Sequence, residues 1–321
     1  MVYGINAHIL IQLFNRRFPK FIELERAFLQ NYYSENIAAT DTSAEQKLPT
    51  VTTQLPVYNE INVVERLIDA VAAFEYPVGR HEIQILDDST DESRQIIAAK
   101  VEMLRSQGVN IHHITRDNRD GYKAGALRNG LKHATGEFVA IFDADFSPPA
   151  DFLLRSVPFF HNRPQLALVQ ARWGHLNEKE SLITRLQAIG INAHFMIEQA
   201  ARSANNLFLN FNGTAGVMRK KAIIDAGNWQ GDTLTEDMDL SYRLQLHGWQ
   251  CYFLADLVAP AEIPSNLNGF KSQQFRWAKG STQTALKLMP EVLRSSATPF
   301  IKFQAFMHMT HYFIHPLMLI L

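Results

Sequence analysis

Phe138-Val-Ala-Ile-Phe-Asp-Ala-Asp145 is the stretch on which the reading of this chain turns. Apolar and small residues run without a break into two carboxylates one residue apart. Such a run predicts a strand buried on both faces, as in a parallel sheet. Asp143 and Asp145 then stand where the strand leaves the sheet, the edge at which open α/β sheets bind ligands. Two carboxylates placed there repel one another and lose solvation, so a positive group is expected between them. A hard divalent cation carrying substrate phosphates meets that need. A lone D-x-D is a weak signal, because any Asp-rich turn supplies one, and the neighbouring sequence must carry the rest.

Upstream, residues 50–55, 82–86 and 109–115 read as further strands, with helices at 61–74, 92–106 and 123–133. The first strand is expected to end at Pro56, with Asn59 as N-cap of the next helix. Three strand–helix units leading into a fourth strand predict a doubly wound, mostly parallel sheet with flanking helices. The strand ends bring Tyr58 and Glu60, Asp87 and Asp88, and Asp143 and Asp145 to one edge. There Tyr58 offers a ring for stacking and Asp88 offers acceptors to a base. Arg116, Arg119, Lys123 and Arg128 crowd the exit of the third strand. Lys123, in the first turn of its helix beside Gly121 and Gly125, suits a diphosphate. Neither G-x-G-x-x-G nor a Walker loop is present, which disfavours dinucleotide and P-loop chemistry.

Downstream, helices are expected at 152–160, 182–202, 236–246 and 270–288, and strands at 166–170 and 250–254. Residues 208–218 read as irregular chain plus a strand. This half should complete the sheet and wall one side of the cleft. Thr235-Glu236-Asp237 opens a helix, whose N-terminus stabilises a carboxylate as the anion. An ionised Asp237 beside a cleft is suited to take a proton from a hydroxyl nucleophile. In Gln273-Gln274-Phe275-Arg276-Trp277, a Q-x-x-R-W sequence, Gln273, Arg276 and Trp277 share one helix face. Arg suits phosphate oxygens, and Trp gives a sugar ring a flat surface.

With 321 residues the chain can bury one large core or two fused lobes, and its net charge of -1 gives no reason to expect nucleic acid. A single cysteine, Cys251, fits a reducing, cytosolic setting and a core position, and no zinc-ligand spacing occurs. Residues 1–14 carry no charged side chain, are too short to span a bilayer, and precede Arg16, Arg17 and Lys20. They read as an interfacial anchor or the stub of a spanning helix, with the following domain kept on the cytosolic face. Residues 303–321 also lack Lys, Arg, Asp and Glu. They read as an amphipathic segment entering a membrane helix, with His308, His311 and His315 at the interface. With 41–47 as a linker, the expected division is 1–47, 48–290 (a nucleotide-binding half to 150, an acceptor half beyond) and 291–321.

In chain order, Pro56-Val-Tyr-Asn-Glu60, Asp87-Asp-Ser89, Lys123-Ala-Gly125, Asp143-Ala-Asp145, Thr235-Glu-Asp237 and the Q-x-x-R-W helix resemble family-2 glycosyltransferases of the cellulose-synthase superfamily. Residues 142–146, 168–173 and 211–217 are close to its mannan-synthase-like branch. The resemblance covers 48–288 and implies a GT-A-like fold. It also implies an inverting, Mg2+- or Mn2+-dependent hexosyl transfer from UDP-glucose or GDP-mannose to a β-linked glycan, or to a membrane lipid as the alternative acceptor. By the same resemblance Tyr58, Glu60, Asp87 and Asp88 meet the nucleoside, and Lys123 and Arg276 meet the diphosphate. Asp143 and Asp145 hold sugar and metal, with Asp145 the more direct ligand, and Asp237 is the base. Phe211, Asn212, Gly213, Glu236, Gln273, Trp277 and Trp173 border the acceptor. The family's polymerases add a bundle of membrane helices, of which this sequence carries at most the start of one. A haloacid-dehalogenase-like phosphatase also uses an Asp pair, but at the first strand of its domain. A non-catalytic binding module leaves Asp143, Asp145, Asp237 and Arg276 without a purpose.

Overall fold

The computed structural model describes residues 2–36 and 48–314. The expected linker at 41–47, His315 and the apolar residues after it lie outside these. The chain opens with α1 (Val2–Asn36), followed by β1 (Val51–Val57), α2 (Val64–Ala72), β2 (His81–Asp87), α3 (Ser93–Ser106), β3 (Ile111–Thr115), α4 (Tyr122–His133) and β4 (Phe138–Ile141). The second half runs α5 (Phe152–Ser156), β5 (Leu166–His175), α6 (Leu182–Ala193), α7 (Ala200–Ala204), β6 (Gly216–Arg219), α8 (Lys220–Asp225), α9 (Glu236–Leu246), β7 (Gln250–Ala261), α10 (Leu267–Arg294) and α11 (Pro299–Met309).

Among the described residues the seven strands form one sheet in the order β3-β2-β1-β4-β6-β5-β7. β1 is parallel to β2 and β4, and β2 to β3. β6 runs against both its neighbours, and β5 pairs in parallel with β7. The sheet is therefore mostly parallel, with one reversed strand. Its faces are covered by separate cores, as double winding requires. On one face Leu55, Ile83 and Ile85 pack with Leu67 and Ile68 of α2 and Ile97 and Val101 of α3. On the other, Val139 and Ile141 pack with Leu127 of α4 and Leu240 and Leu244 of α9.

β1 continues through Pro56 to Val57. Its pairing with β4 stops at Gln54–Ile141, so the missing N–H of Pro56 faces no ladder partner. Asn59 is not the helix cap. Its φ is 56°, its side chain accepts from Thr90 N at 2.9 Å, and α2 begins only at Val64. The expected helix at 182–202 is one path with a π-helical turn, His194–Gln199, set between α6 and α7. The segment 152–160 splits into α5 and a 3-10 turn, and 208–218 is irregular up to β6.

No described helix is long and apolar enough to cross a membrane. α1 lies along the domain, with Leu10 packed on Ala201 and Leu207, and Arg26 paired with Asp256 at 2.8 Å. α11 buries Ala305 and Met309 against Tyr242, Leu288 and Val292. That packing corrects the interfacial placing of His308, whose ring is buried with Nδ1 2.8 Å from the Tyr242 hydroxyl.

Candidate active site

The ends of β1, β2 and β4 open into a cleft of about 540 Å³, closed on its far side by the start of α9 and one face of α10. Tyr58, Glu60, Asp88, Lys123, Asp143, Asp145, Trp173, Asn212, Gly213, Glu236, Asp237, Gln273, Arg276 and Trp277 all line it. Eight separate stretches of sequence have thus converged on one crevice. Asp87 and Phe211 are exceptions. The Asp87 carboxylate is buried and taken up by Ser89 N at 2.8 Å and His113 Nε2 at 2.8 Å, so it braces the strand end. Phe211 is buried in the core beside Trp229 and does not reach the cleft. Arg128 is exposed and lies outside it.

At the end of β2, Arg116 binds Asp88 through Nε at 2.7 Å and Nη2 at 2.5 Å. Arg119 lies flat on the Tyr58 ring, 3.2 Å from its centroid. A base stacking on that face of Tyr58 has to displace Arg119, a cation–π contact worth roughly 0.5–1 kcal/mol at an exposed site. Arg119 was recognisable in sequence only as part of a charge run.

Lys123 stands at the centre. Its Nζ is 2.5 Å from Asp143 Oδ1 and donates to Gly213 O at 2.9 Å. Burial disfavours its charge, but Asp143, Glu236 and Asp237 outweigh burial and hold its pKa above the ordinary value. Gly213 has φ +84°, and a Cβ there would lie 2.9 Å from Asp237 Oδ2 and 3.4 Å from Lys123 Nζ. Glycine is required at this position both by backbone conformation and by space. Thr214, next along, accepts through Oγ1 from Asp143 N at 2.9 Å, so one loop registers the Lys–Asp pair against Asp237.

The start of α9 is pinned to α10. Leu234 N donates to Gln283 Oε1 and the Thr235 and Thr284 hydroxyls bond, both at 3.0 Å. A Cβ on Gly280 would come within 2.5 Å of Thr235 Cγ2, so the Q-x-x-R-W helix reaches this position only as glycine. Asp239, one turn in, is a structural anchor between Arg243 at 2.6 Å and Lys287 at 2.7 Å. The helix N-terminus does not keep Asp237 strongly acidic. Burial, and then the charge of Glu236, push its pKa up to about 7 against the pull of Lys123. The Glu236 carboxyl is also raised, first by burial.

Asp145 is pushed up to about 7 by burial and then by Asp143, and Glu60 is raised by burial and the same neighbour. Among the described residues no three or more His, Cys, Asp and Glu side chains are grouped to enclose a metal ion. The crowding of Asp143, Asp145 and Glu60 is nevertheless the kind that a cation relieves. Two carboxylates completed by phosphate oxygens match how hard cations bind alongside nucleotides. Asp143 and Asp145 therefore fit an ion brought in with a diphosphate rather than one held in a protein cage. The floor beneath them adds Glu262, whose N donates to Asp145 O at 3.1 Å and whose carboxylate pairs with Arg66 at 2.5 Å. No motif pointed to that pair.

A second, more apolar cavity of about 680 Å³ adjoins the cleft. Trp173, Asn212, Asp237, Gln273 and Trp277 line both. Trp173 Nε1 is buried with no hydrogen-bond partner among the described residues. Asp237 thus stands where the polar cleft meets a cavity able to receive a second substrate.

Residues 49–280 match the family described as glycosyltransferase like family 2. Glucomannan 4-beta-mannosyltransferase 2 of Arabidopsis thaliana is 42% identical over 277 residues, covering 85% of this chain and 52% of that protein. Glucomannan 4-beta-mannosyltransferase 1 of Cyamopsis tetragonoloba is 41% identical over 279 residues, covering 85% and 53%. The chain spans about half the length of these curated relatives. Among solved structures, mannosyltransferase PcManGT from Pyrobaculum calidifontis, in complex with GDP-mannose and Mn2+, superposes with a TM-score of 0.65 at 21% identity, covering 95% of this chain and 81% of that one. The chain belongs to the family-2 glycosyltransferases, and its relatives there are cellulose-synthase-like enzymes named for mannosyl transfer to glucomannan.

Proposed function

We propose that this chain transfers mannose from GDP-mannose to the growing end of a β-linked glucomannan, inverting the configuration of an α-linked donor. The observation that carries the proposal is the position of Asp237, a carboxyl common to the donor cleft and the adjoining cavity. Choice of mannose over glucose is supported by the names of the relatives.

In this reading the base enters the pocket of Tyr58 and Asp88, and the diphosphate lies between Lys123 and Arg276. The acceptor sugar rests on Trp277 and Trp173 in the second cavity. Asp237 removes the proton from the attacking hydroxyl as its oxygen bonds to the anomeric carbon and the bond to the phosphate oxygen breaks. Lys123 stabilises the charge that develops on the departing diphosphate. Asp143 and Asp145 are the residues that hold Mg2+ or Mn2+, which supplies further neutralisation of the leaving group when bound. Burial and then the neighbouring Glu236 raise the basicity of Asp237. Exposed Phe300, Phe303 and Phe306 on α11 support contact of this side with a membrane surface.

The test is a panel of radiolabelled GDP-mannose and UDP-glucose offered with Mn2+ and β-1,4-linked manno-oligosaccharides, the products sized by chromatography. Lengthening from GDP-mannose is the expected result. Lengthening from UDP-glucose alone overturns the choice of donor, and label recovered only in lipid overturns the choice of acceptor.

A further inference from the structure

The helix that begins at Leu182 changes its winding for one stretch, the π-helical turn His194–Gln199 between α6 and α7. Single π turns inside α-helices frequently mark functional positions. This one presents His194 and Glu198 to the second cavity and Gln199 to the loop carrying Asn212 and Gly213.

The hydrogen bonds along it have a single direction. Asn212 Oδ1 accepts from Gln199 Nε2 at 2.6 Å, which leaves Asn212 Nδ2 facing His194 Nε2 at 3.1 Å. An amide nitrogen only donates, so His194 Nε2 is the acceptor and the ring proton sits on Nδ1. Nδ1 lies 3.1 Å from Glu198 Oε2 and donates to it. Glu198 is kept anionic. Burial opposes its charge, but Arg202, fully buried with Nε 3.0 Å from Oε1, and His194 outweigh burial and hold the carboxyl well below the usual range. Asn212 is gripped at its other end too, its backbone N donating to Gln170 Oε1 at 3.0 Å. Glu198, Asp237, His308, His311 and Tyr312 line the same cavity as His194, with Arg202 behind Glu198 on the same helical path. Among the described residues, only His194 accepts from Asn212 Nδ2.

We propose that His194, held as its Nδ1–H tautomer by Glu198, is a positioning residue for glycosyl transfer. It fixes Asn212, and through Asn212 it sets Gly213 against Lys123 and Asp237 in the wall shared by donor cleft and acceptor cavity. The inference rests on the reading of the cleft as a glycosyl-transfer site. His194 touches no reacting atom, and its effect is carried by the loop.

The test compares His194→Ala with His194→Gln, whose terminal amide oxygen reaches the place of Nε2 and accepts in its stead. For His194→Ala a loss of roughly ten- to a hundredfold in kcat is expected, since sub-ångström misplacement near a reacting centre has costs of that order. The Kd for GDP with Mn2+ stays unchanged, and His194→Gln regains most of kcat. Wild-type kcat in His194→Ala, an equal loss in GDP affinity, or a glutamine variant as slow as the alanine one overturns the proposal. A second readout needs no turnover. Long-range 1H–15N spectra of 15N-histidine-labelled protein should show an Nδ1–H pattern for the ring whose signal vanishes in His194→Gln, and an Nε2–H pattern there refutes the tautomer. If the wild type transfers no hexose, the transfer reading fails, while these spectra still decide the state of His194.

Discussion

Replacing Gly213 with alanine separates two consequences of one methyl group. The backbone at φ +84° is costly for any L-residue, by about 1–2 kcal/mol. For a chain of this size that corresponds to a fall of roughly 1.5–3 °C in Tm. The methyl also sits 2.9 Å from Asp237 Oδ2, where ordinary contact begins at 3.4 Å, so the carboxylate must retreat by about 0.5 Å. Lys123 Nζ, at 3.4 Å, is not displaced. Misplacement of a reacting group by about 1 Å costs on the order of a hundredfold, so about ten- to a hundredfold is expected here, in kcat rather than in donor affinity. Gly79→Ala is the control, because Gly79 has φ +79° with nothing within 4 Å of an added Cβ. It should lose similar thermal stability and keep wild-type kcat. The assays are Tm by calorimetry, Kd for GDP plus Mn2+ by titration, and kcat with GDP-mannose. Equal kcat in the two variants refutes the claim that Gly213 spaces the loop from Asp237.

Two further outcomes concern protons. Burial and Glu236 bring Asp237 up to about 7, and a base must be ionised to act, so kcat should rise with pH through about 7 and level off above it. A pH–rate profile already flat from pH 5 to 8 contradicts this. Glu25, buried in α1 against Ala255, is raised by burial from its ordinary 4.5 to about 8. The unfolded chain releases that proton near 4.5 and the folded chain holds it to about 8, so its contribution to stability is full below 4.5 and is lost as pH rises to about 8. Glu25→Gln should flatten Tm between those limits, and an unchanged Tm profile refutes the assignment.

Local pattern carried much of the architecture. The all-buried Phe138–Ile141 and its Asp pair located the edge at which the cleft opens, because a buried parallel strand and its carboxyl end are written in consecutive residues. The Q-x-x-R-W helix was legible for the same reason, Gln273, Arg276 and Trp277 sharing the face that lines the cleft. What failed were the features decided by tertiary partners. Asn59 has capping chemistry, but Thr90 takes its side chain. Asp87 and Asp88 are adjacent and alike in sequence, and alternation along the strand end sends one to His113 and the other, which lines the cleft, to Arg116. Phe211 lies beside the loop that lines the site yet points into the core. The acidity expected of Asp237 at a helix N-terminus is reversed by burial and then by Glu236, neither of which spacing reveals. The Glu262–Arg66 floor and the His194–Glu198 relay join residues far apart in the chain or carried by an irregular turn, and no motif announces them.

The most direct measurement is the anomeric configuration and rate of the product formed from GDP-[1-13C]mannose, Mn2+ and a manno-oligosaccharide, compared between wild type and Asp237→Asn by the one-bond C–H coupling in NMR. A β-linked product from the wild type is predicted, with a loss of about 10²–10⁴-fold in Asp237→Asn at unchanged donor affinity, as for removal of a general base. An α-linked product, or near-native turnover in Asp237→Asn, contradicts the account.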